Sequence, residues 1–318
     1  MMQAMSKSPA NDCTSGHCAT TGPSPFANQP PLGLSELPPD DPEHMLPDWP
    51  KLAPDLPQDT YAIADALWWA RKLGSPQAKG DDVAYMLRDA ADARAVQEAL
   101  AQTWGWWPHG SVPRYWKSGG PARDAARLQH VPLPTPGVHT DVDTAPAPSA
   151  VHTLRGVEGE IALRLGQDVT LAQAAALTPE TALALIDGVA VAIEWVDVRW
   201  RDGLQAPALT LLADGQCHGG LALGPWHSAD LLHGRDWAQQ RCTLQVGDAP
   251  AQAFTGSHSL TDPTWLLAAW LQDATARYGT VPAGTVVTTG TWTGCPQVQA
   301  GDLVTVAFDG IGQVRWQF

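Results

Sequence analysis

The chain contains 318 residues, of which 44% are hydrophobic and 16% are charged, and its formal net charge at pH 7 is −14. The hydrophobic share is that of an ordinary globular protein, so the chain can bury a sizeable core. The acidic balance argues against nucleic acid and anionic membranes as partners, because phosphate groups require a basic surface. A small anionic substrate remains compatible with this charge if a local cation holds it.

Five cysteines are scattered along the chain, and we predict that they are reduced thiols. No apolar run approaches the roughly 18 residues that a membrane span requires. The N-terminal residues also lack the basic start and the following apolar segment that are typical of a signal peptide. These features predict a cytoplasmic protein without a membrane segment.

Residues 1–57 are dominated by Pro, Ser, Asp and Gly, and they predict a largely disordered N-terminal extension. Such a segment cannot bury enough surface to offset its loss of conformational entropy. Cys13, His17 and Cys18 lie close together in it, but two thiols and one imidazole lack a fourth ligand for a structural metal. We therefore predict no metal site there.

Residues 58–150 are predicted to form a small helical part and a connector. Apolar residues recur at helical spacing from residue 58 until Gly74 ends the run, and a second helix is predicted from about Asp81 to Trp104. Trp104, Trp106 and Trp107 crowd into the following connector. Their simplest role is packing under a helix, so we do not interpret them as a ligand platform.

Residues 151–318 are predicted to form a β-rich C-terminal domain, because short apolar runs alternate with Gly, Pro and Asp. One helix interrupts the strands, with Asp262 as its N-cap, Pro263 at its first position and Gly279 after its end. The predicted strands are 157–165, 189–199, 208–213, 219–224, 241–246, 284–290, 302–308 and 313–318. The predicted fold class is therefore α+β.

Two glutamates alternate with apolar residues in the predicted strand 157–165. Glu158 and Glu160 share one face of this strand, with Cα atoms about 6.5–7 Å apart. Flexible carboxylates at this spacing can coordinate one hard cation together. The alternative is that they form the solvated face of an ordinary strand.

Glu194 lies in a stretch that is apolar on both faces, which predicts a buried strand. A buried carboxylate requires a cation or takes up a proton. The cation is either a divalent metal or Arg199, and Arg199 can instead pair with Asp197 on the same face. Carboxylate ligands alone favour Mg²⁺ or Mn²⁺ over Zn²⁺.

Five segments resemble motifs of the fumarylacetoacetate hydrolase superfamily, in the family's order. Residues 157–162 resemble its V-E-x-E-I-A strand, and residues 193–199 resemble its I-E-x-x-D-x-R strand. Residues 287–291 resemble its V-L-T-G-S/T loop, residues 298–302 its V-x-x-G-D turn, and residues 312–318 its G-x-V-x-x-x-F ending. The helical part and Lys117, in a segment similar to the family's G-Y-K stretch, point to the 2-keto-4-pentenoate hydratase and 4-oxalocrotonate decarboxylase branch.

The resemblance implies a mixed β-roll of the fumarylacetoacetate hydrolase C-terminal type. It also implies a Mg²⁺ or Mn²⁺ ion held by Glu158, Glu160 and Glu194, a 2-oxo acid substrate, and a homo-oligomer. The sequence departs from the family around Lys117, after Pro134 and in residues 213–219. The metal site is therefore supported better than the particular reaction.

From this resemblance we predict a metal-dependent hydratase that converts a 2-hydroxy-2,4-dienoate to a 4-hydroxy-2-oxo acid, as in the catabolism of aromatic compounds. The metal would stabilise an enolate. Lys117 and His218 are the predicted catalytic residues, and His258 is a further candidate acid–base group. The predicted substrate-binding residues are Thr289, Gly290 and Thr291.

Each of these residues also has a structural explanation: Lys117 as a surface lysine, the histidines as core residues, and the threonines as strand residues. The alternative reactions are decarboxylation of a 2-oxo acid and hydrolysis of an acylpyruvate. An ordered pair of a histidine and a carboxylate near the metal would favour the hydrolase. A catalytically inactive binding protein with the same fold is the non-enzymatic alternative.

Overall fold

A computed structural model describes residues 58–140 and 154–318. The predicted extension 1–57, with its cysteines, lies outside the described residues. The helices are α1 (Gln58–Leu73), α2 (Gly80–Val83), α3 (Ala90–Trp104), α4 (Leu171–Ala175), α5 (Pro179–Ala182), α6 (Ala208–Ala213) and α7 (Leu267–Tyr278). The strands are β1 (Tyr115–Gly119), β2 (Gln129–Pro132), β3 (Val138–His139), β4 (Gly156–Leu165), β5 (Ile186–Val196), β6 (His218–Leu223), β7 (His227–Ser228), β8 (Arg241–Val246), β9 (Gln252–Thr255), β10 (Val286–Thr288), β11 (Leu303–Phe308) and β12 (Gly312–Gln317).

The second predicted helix is two helices separated by a break. After α2 and a short 3₁₀ turn, the Asp89 side chain accepts hydrogen bonds from the N–H groups of Ala91 at 2.8 Å and Asp92 at 3.2 Å, and α3 begins there. Gly105 ends α3 in the left-handed region, at φ 62°. Capping by Asp89 satisfies N–H groups that a continuous helix would have used internally, and this explains the break.

Helices α1 and α3 share a hydrophobic cluster with the C-terminal part of the chain. Leu67 and Val96 from the helices are buried in the same cluster as Trp200 and Leu211. Trp104 packs against Trp68 with ring centroids 5.9 Å apart, in agreement with the packing role predicted for it. The helical part therefore packs against the region that follows β5.

The strands of the described residues form two sheets. The larger sheet has eight strands in the order β2-β1-β10-β4-β5-β6-β3, and β7 pairs with β5. It is mixed, because β1 runs parallel to β10 and β3 runs parallel to β6 while its other pairs are antiparallel. The smaller sheet is antiparallel in the order β12-β11-β8-β9. The predicted α+β fold with a mixed β-roll is confirmed.

One predicted strand is wrong: residues 208–213 form the helix α6. Pro207 stands just before it, and the hydroxyl of Thr210 donates to the Pro207 carbonyl oxygen at 2.8 Å. Leu211 and Leu212 are buried in the cluster shared with α1 and α3. A six-residue apolar run is compatible with either a strand or a buried helix, and the neighbouring helices decide here.

The predicted helix after Asp262 is present, and its first turn is a 3₁₀ turn over Pro263–Leu266 that continues into α7. The Asp262 carboxylate accepts a hydrogen bond from the Thr264 N–H at 2.8 Å, and Gly279 ends the helix. Among the described residues, no helix combines the length and the apolar character needed to cross a membrane.

Strands β4 and β5 form the centre of the larger sheet. One face carries Val157, Ile161 and Ile193 into the main hydrophobic core. The opposite face carries the glutamates and, farther along, a small apolar cluster that includes Ala162 and Leu221. The glutamates thus lie on a face that is largely buried, and a solvated strand face is excluded for them.

Candidate metal centre

The pairing of β4 with β5 brings the three predicted metal ligands together. Glu158 lies directly opposite Glu194, and Glu160 follows two residues along the same face of β4. One carboxylate oxygen from each side chain lies within 4.8 Å of those of the other two. Their exposed fractions are 8% for Glu158, 1% for Glu160 and 0% for Glu194. The three residues thus form one buried cluster of oxygen ligands.

Glu194 is held by two side chains through one of its oxygens. Its Oε1 accepts a hydrogen bond from Lys117 Nζ at 2.7 Å and another from His218 Nδ1 at 2.9 Å. Its Oε2 is buried and has no hydrogen-bond partner among the described residues. A buried carboxylate oxygen is costly without a partner, and a metal ion would supply one.

Glu160 accepts a hydrogen bond from the Gly290 N–H at 3.0 Å. Burial, and next the nearby charge of Glu194, raise the pKa of Glu160 to about 7. The Lys117 ammonium opposes this shift. Without a metal ion, Glu160 therefore takes up a proton more readily than Glu194, whose pKa is lowered.

Lys117 comes from β1, which is separated from β4 in the sheet by β10. Burial alone would lower the pKa of Lys117, but the charges of Glu194, Glu158 and Glu160 outweigh it and raise that pKa. The same ammonium helps to keep the pKa of Glu194 low against the effect of burial. Three carboxylates and one ammonium leave two negative charges, which a divalent cation neutralises.

The predicted pairing of Arg199 needs correction. Arg199 Nε donates to Asp214 Oδ1 at 2.6 Å, and its Nη2 donates to the carbonyl oxygen of His218 at 2.8 Å. Asp197 Oδ1 accepts the N–H of Leu154 at 2.8 Å. The ordinary cationic partner of Glu194 is therefore Lys117 and not Arg199, because the strand order brings β1 to this face.

A turn with unusual backbone angles delivers His218 to the cluster. Gly215, Gln216 and Cys217 have φ angles of 78°, 54° and 64°, which is uncommon for residues other than glycine. The Gln216 carbonyl oxygen accepts a hydrogen bond from Lys117 Nζ at 3.1 Å. The bonds from Arg199 to Asp214 and His218 brace both ends of this turn. Strained backbone held in this way is typical of functional sites.

The predicted substrate loop lies beside the cluster, but its hydroxyl groups are engaged. Thr289 Oγ1 donates to the Ile161 carbonyl oxygen at 2.9 Å, and Thr291 Oγ1 donates to the Gly294 carbonyl oxygen at 3.0 Å. The N–H of Gly290 is the donor to Glu160. Substrate binding by Thr289, Gly290 and Thr291 stays a prediction, and the bonds of the loop indicate a role in holding Glu160.

His258 supports the same loop. Its Nδ1 accepts the Leu260 N–H at 3.3 Å, so its Nε2 carries the proton that bonds to the Thr289 carbonyl oxygen at 2.7 Å. Burial lowers the pKa of His258 to about 4. Both ring nitrogens are thus occupied by backbone groups, which favours a structural role for His258.

Thr288 is a residue of this site that the sequence did not single out. It lies between Lys117 on β1 and Ala162 on β4, and its hydroxyl is close enough to Glu160 to lower the pKa of that carboxyl. The alternation of β10 puts Thr288 opposite in direction to the core residue Val287. The sequence shows this alternation, but it does not show which strands lie next to β10.

The mixed sheet and its buried acidic cluster define a metal-dependent enzyme scaffold. Residues 128–318 match the family described as fumarylacetoacetate (FAA) hydrolase, C-terminal. This match covers more than half of the chain, so the chain belongs to the fumarylacetoacetate hydrolase family, as predicted. No curated protein matches the chain at a significant level.

Three solved structures illustrate the likeness of the fold. 4-Oxalocrotonate decarboxylase from Pseudomonas putida G7, complexed with calcium and acetate, is 20% identical, with a TM-score of 0.64 over 82% of this chain and 97% of that chain. The same enzyme complexed with magnesium and adipate is 19% identical, with a TM-score of 0.65 over 81% and 97%. Fumarylpyruvate hydrolase from Pseudomonas aeruginosa, in complex with Mn²⁺ and pyruvate, is 19% identical, with a TM-score of 0.46 over 66% and 92%.

Proposed function

We propose that the chain is a metal-dependent enzyme that converts a 2-oxo acid through an enolate, with Glu158, Glu160 and Glu194 as the metal ligands. The observation that carries this proposal is the buried cluster of three carboxylates, together with the buried Oε2 of Glu194. An all-oxygen ligand set that retains two negative charges suits Mg²⁺ or Mn²⁺. When bound, such an ion supplies a Lewis acid for the 2-oxo group.

The residues around the ligands have separable roles in this proposal. Lys117 is the local cation that an acidic protein requires to hold the substrate carboxylate, and 16% of its side chain is exposed. His218 orients Glu194 through the bond at Oε1. The backbone N–H of Gly290 holds Glu160. Burial of the cluster excludes water and strengthens every charge interaction within it.

Decarboxylation of an unsaturated 2-oxo dioic acid is the reaction we favour. In this reaction the bond to the distal carboxylate breaks, its electron pair enters the conjugated enolate, carbon dioxide leaves and a proton returns to carbon. Such a step requires no base that activates water. Lys117 and His218 both bond Glu194, so neither is aimed at a reacting water. The likeness to 4-oxalocrotonate decarboxylase extends through the helical part of the chain and supports the same choice.

Hydrolysis of an acylpyruvate is the second candidate. The ordered pair of His218 and Glu194 is the feature expected of a hydrolase. However, its carboxylate belongs to the proposed metal ligands, and the second ring nitrogen of His218 is buried away from them. Hydration of a 2-hydroxy-2,4-dienoate, the reaction predicted from the sequence, remains the third reaction to test.

One turnover assay separates these reactions. The full chain is incubated with 4-oxalocrotonate, 2-hydroxypenta-2,4-dienoate or an acylpyruvate, with and without Mg²⁺ or Mn²⁺. We expect metal-dependent release of carbon dioxide from 4-oxalocrotonate. Metal-dependent loss of the dienol absorbance alone would establish hydration instead. Turnover of none of the three, with no binding of metal, would leave a catalytically inactive binding protein.

Two further expectations concern assembly, which the family resemblance implies, and substrate binding, which the charge of the site implies. A homo-oligomer, as predicted from the family, is testable by light scattering after size-exclusion chromatography. A small 2-oxo acid such as pyruvate should bind only when the metal is present, because its carboxylate otherwise meets a cluster of net negative charge.

A further inference from the structure

A small cavity lies behind His218. The centre of a water molecule can move within a volume of about 10 Å³ in this cavity. The residues that line the cavity include Arg71 from α1, Gln97 from α3, and His218. Glu158, Glu160 and Glu194 are not among the residues that line it. The cavity therefore lies between the helical part of the chain and His218, and it is separate from the three metal ligands.

Three buried polar atoms of the lining residues have no hydrogen-bond partner among the described residues: Arg71 Nε, Gln97 Oε1 and His218 Nε2. Gln97 and His218 are each only 4% exposed. Buried polar atoms without partners are rare in native proteins, because each costs about 1–3 kcal/mol. Three of them around one cavity point to a common ligand.

The other atoms of these side chains decide what each unpartnered atom can do. The amide nitrogen of Gln97 donates to the Leu212 carbonyl oxygen, so Oε1 is left as an acceptor. Arg71 Nη2 donates to Asp214 Oδ1 at 3.3 Å, and Nε keeps its own proton as a donor. The Glu194 carboxylate can only accept, so His218 Nδ1 carries the proton of that bond.

We propose that this cavity binds one water molecule, which accepts a hydrogen bond from Arg71 Nε, donates one to Gln97 Oε1 and bonds to His218 Nε2. The volume agrees with the roughly 10–15 Å³ that one water requires, and three bonds is the usual number for a buried water. With His218 protonated on Nδ1 only, the water donates to Nε2, and all its hydrogens and all three protein atoms are satisfied.

This water makes Arg71 and Gln97 positioning residues for the metal centre. The two nitrogens of an imidazole ring lie on different edges, so a water at Nε2 fixes the ring whose Nδ1–H bonds Glu194. The water lies on the far side of that ring from Glu194, and it is a structural water and not a reacting one. The effect of this water on metal binding rests on the proposed function, whereas the binding of the water itself does not.

A high-resolution crystal structure of the full chain tests the water site. We expect one ordered peak within hydrogen-bonding distance of Arg71 Nε, Gln97 Oε1 and His218 Nε2, and its loss in Gln97→Met. Nitrogen-15 NMR of the His218 ring should report the proton on Nδ1 in the wild type. Density without that peak, or a bound substrate analogue in the cavity, would overturn the proposal.

A titration with Mn²⁺ tests the positioning role. Arg71→Met and Gln97→Met should each weaken Mn²⁺ binding severalfold, and roughly tenfold at most. The effect is limited because these residues act on Glu194 only through the water and His218. Lys72→Met, at an exposed position of the same helix, is the matched control and should bind Mn²⁺ as the wild type does. Unchanged binding in both variants would refute the role. If the wild type binds no Mn²⁺ and yet contains the water, only the proposed function fails.

Discussion

Glu194→Gln is the sharpest test of the metal centre, because it removes one charge and nearly preserves the shape of the side chain. In the native cluster, three carboxylates and Lys117 leave two negative charges for the ion, and the variant leaves one. A single charge pair at about 4 Å contributes about 4 kcal/mol at an effective dielectric constant of 20, and the ion carries two charges. The loss of repulsion between Glu194 and Glu160 offsets part of this. We expect at least about 3 kcal/mol of lost affinity, which is roughly a hundredfold in Kd.

The assay is a Mn²⁺ titration followed by calorimetry, with turnover measured on the same samples. Asp187→Asn is the matched control, because Asp187 lies on the same strand and its exposed carboxylate bonds Arg164 at 2.7 Å, away from the cluster. The control should keep both metal affinity and turnover. Native metal affinity in Glu194→Gln, with the fold intact by circular dichroism, would refute the assignment of Glu194 as a ligand.

Four further predictions follow from particular groups. Metal affinity should fall about tenfold from pH 8 to pH 6, because Glu160 must lose its proton and burial raises its pKa to about 7; flat affinity by titration would contradict this. Lys117→Met should lower the melting temperature of the metal-free protein, and Mn²⁺ should restore it by neutralising the uncompensated negative charge of the buried cluster. Gly220→Ala should destabilise the fold by several kcal/mol in urea unfolding, because the added carbon would lie 1.9 Å from the Trp195 ring. His258 should contribute a loss of stability as pH drops from about 6.5 to 4, since burial lowers its pKa to about 4 and the unfolded chain binds that proton first; urea unfolding should show a smaller loss over this range in His258→Asn than in the wild type.

The features that could be predicted from the amino-acid sequence alone are local ones. The alternation around Glu158 and Glu160 identified β4, and the apolar run around Glu194 identified β5. The cap, the proline and the glycine around residues 262–279 identified the last helix. The family motifs added the mixed β-roll, because their order is preserved along the chain. Period and capping depend on neighbouring residues only, and a single sequence contains them in full.

Contacts between residues that are distant in sequence could not be predicted in this way. Nothing near Lys117 in sequence indicates that β1 lies next to β10, and this placement makes Lys117 rather than Arg199 the partner of Glu194. The register of β4 on β5 decided that Glu158 faces Glu194, since a shift by one residue would have sent Glu194 to the core face. Residues 208–213 became a helix because α1 and α3 bury their apolar side chains. Strand order, register and burial depend on contacts between segments far apart in the chain, so only the folded molecule fixes them.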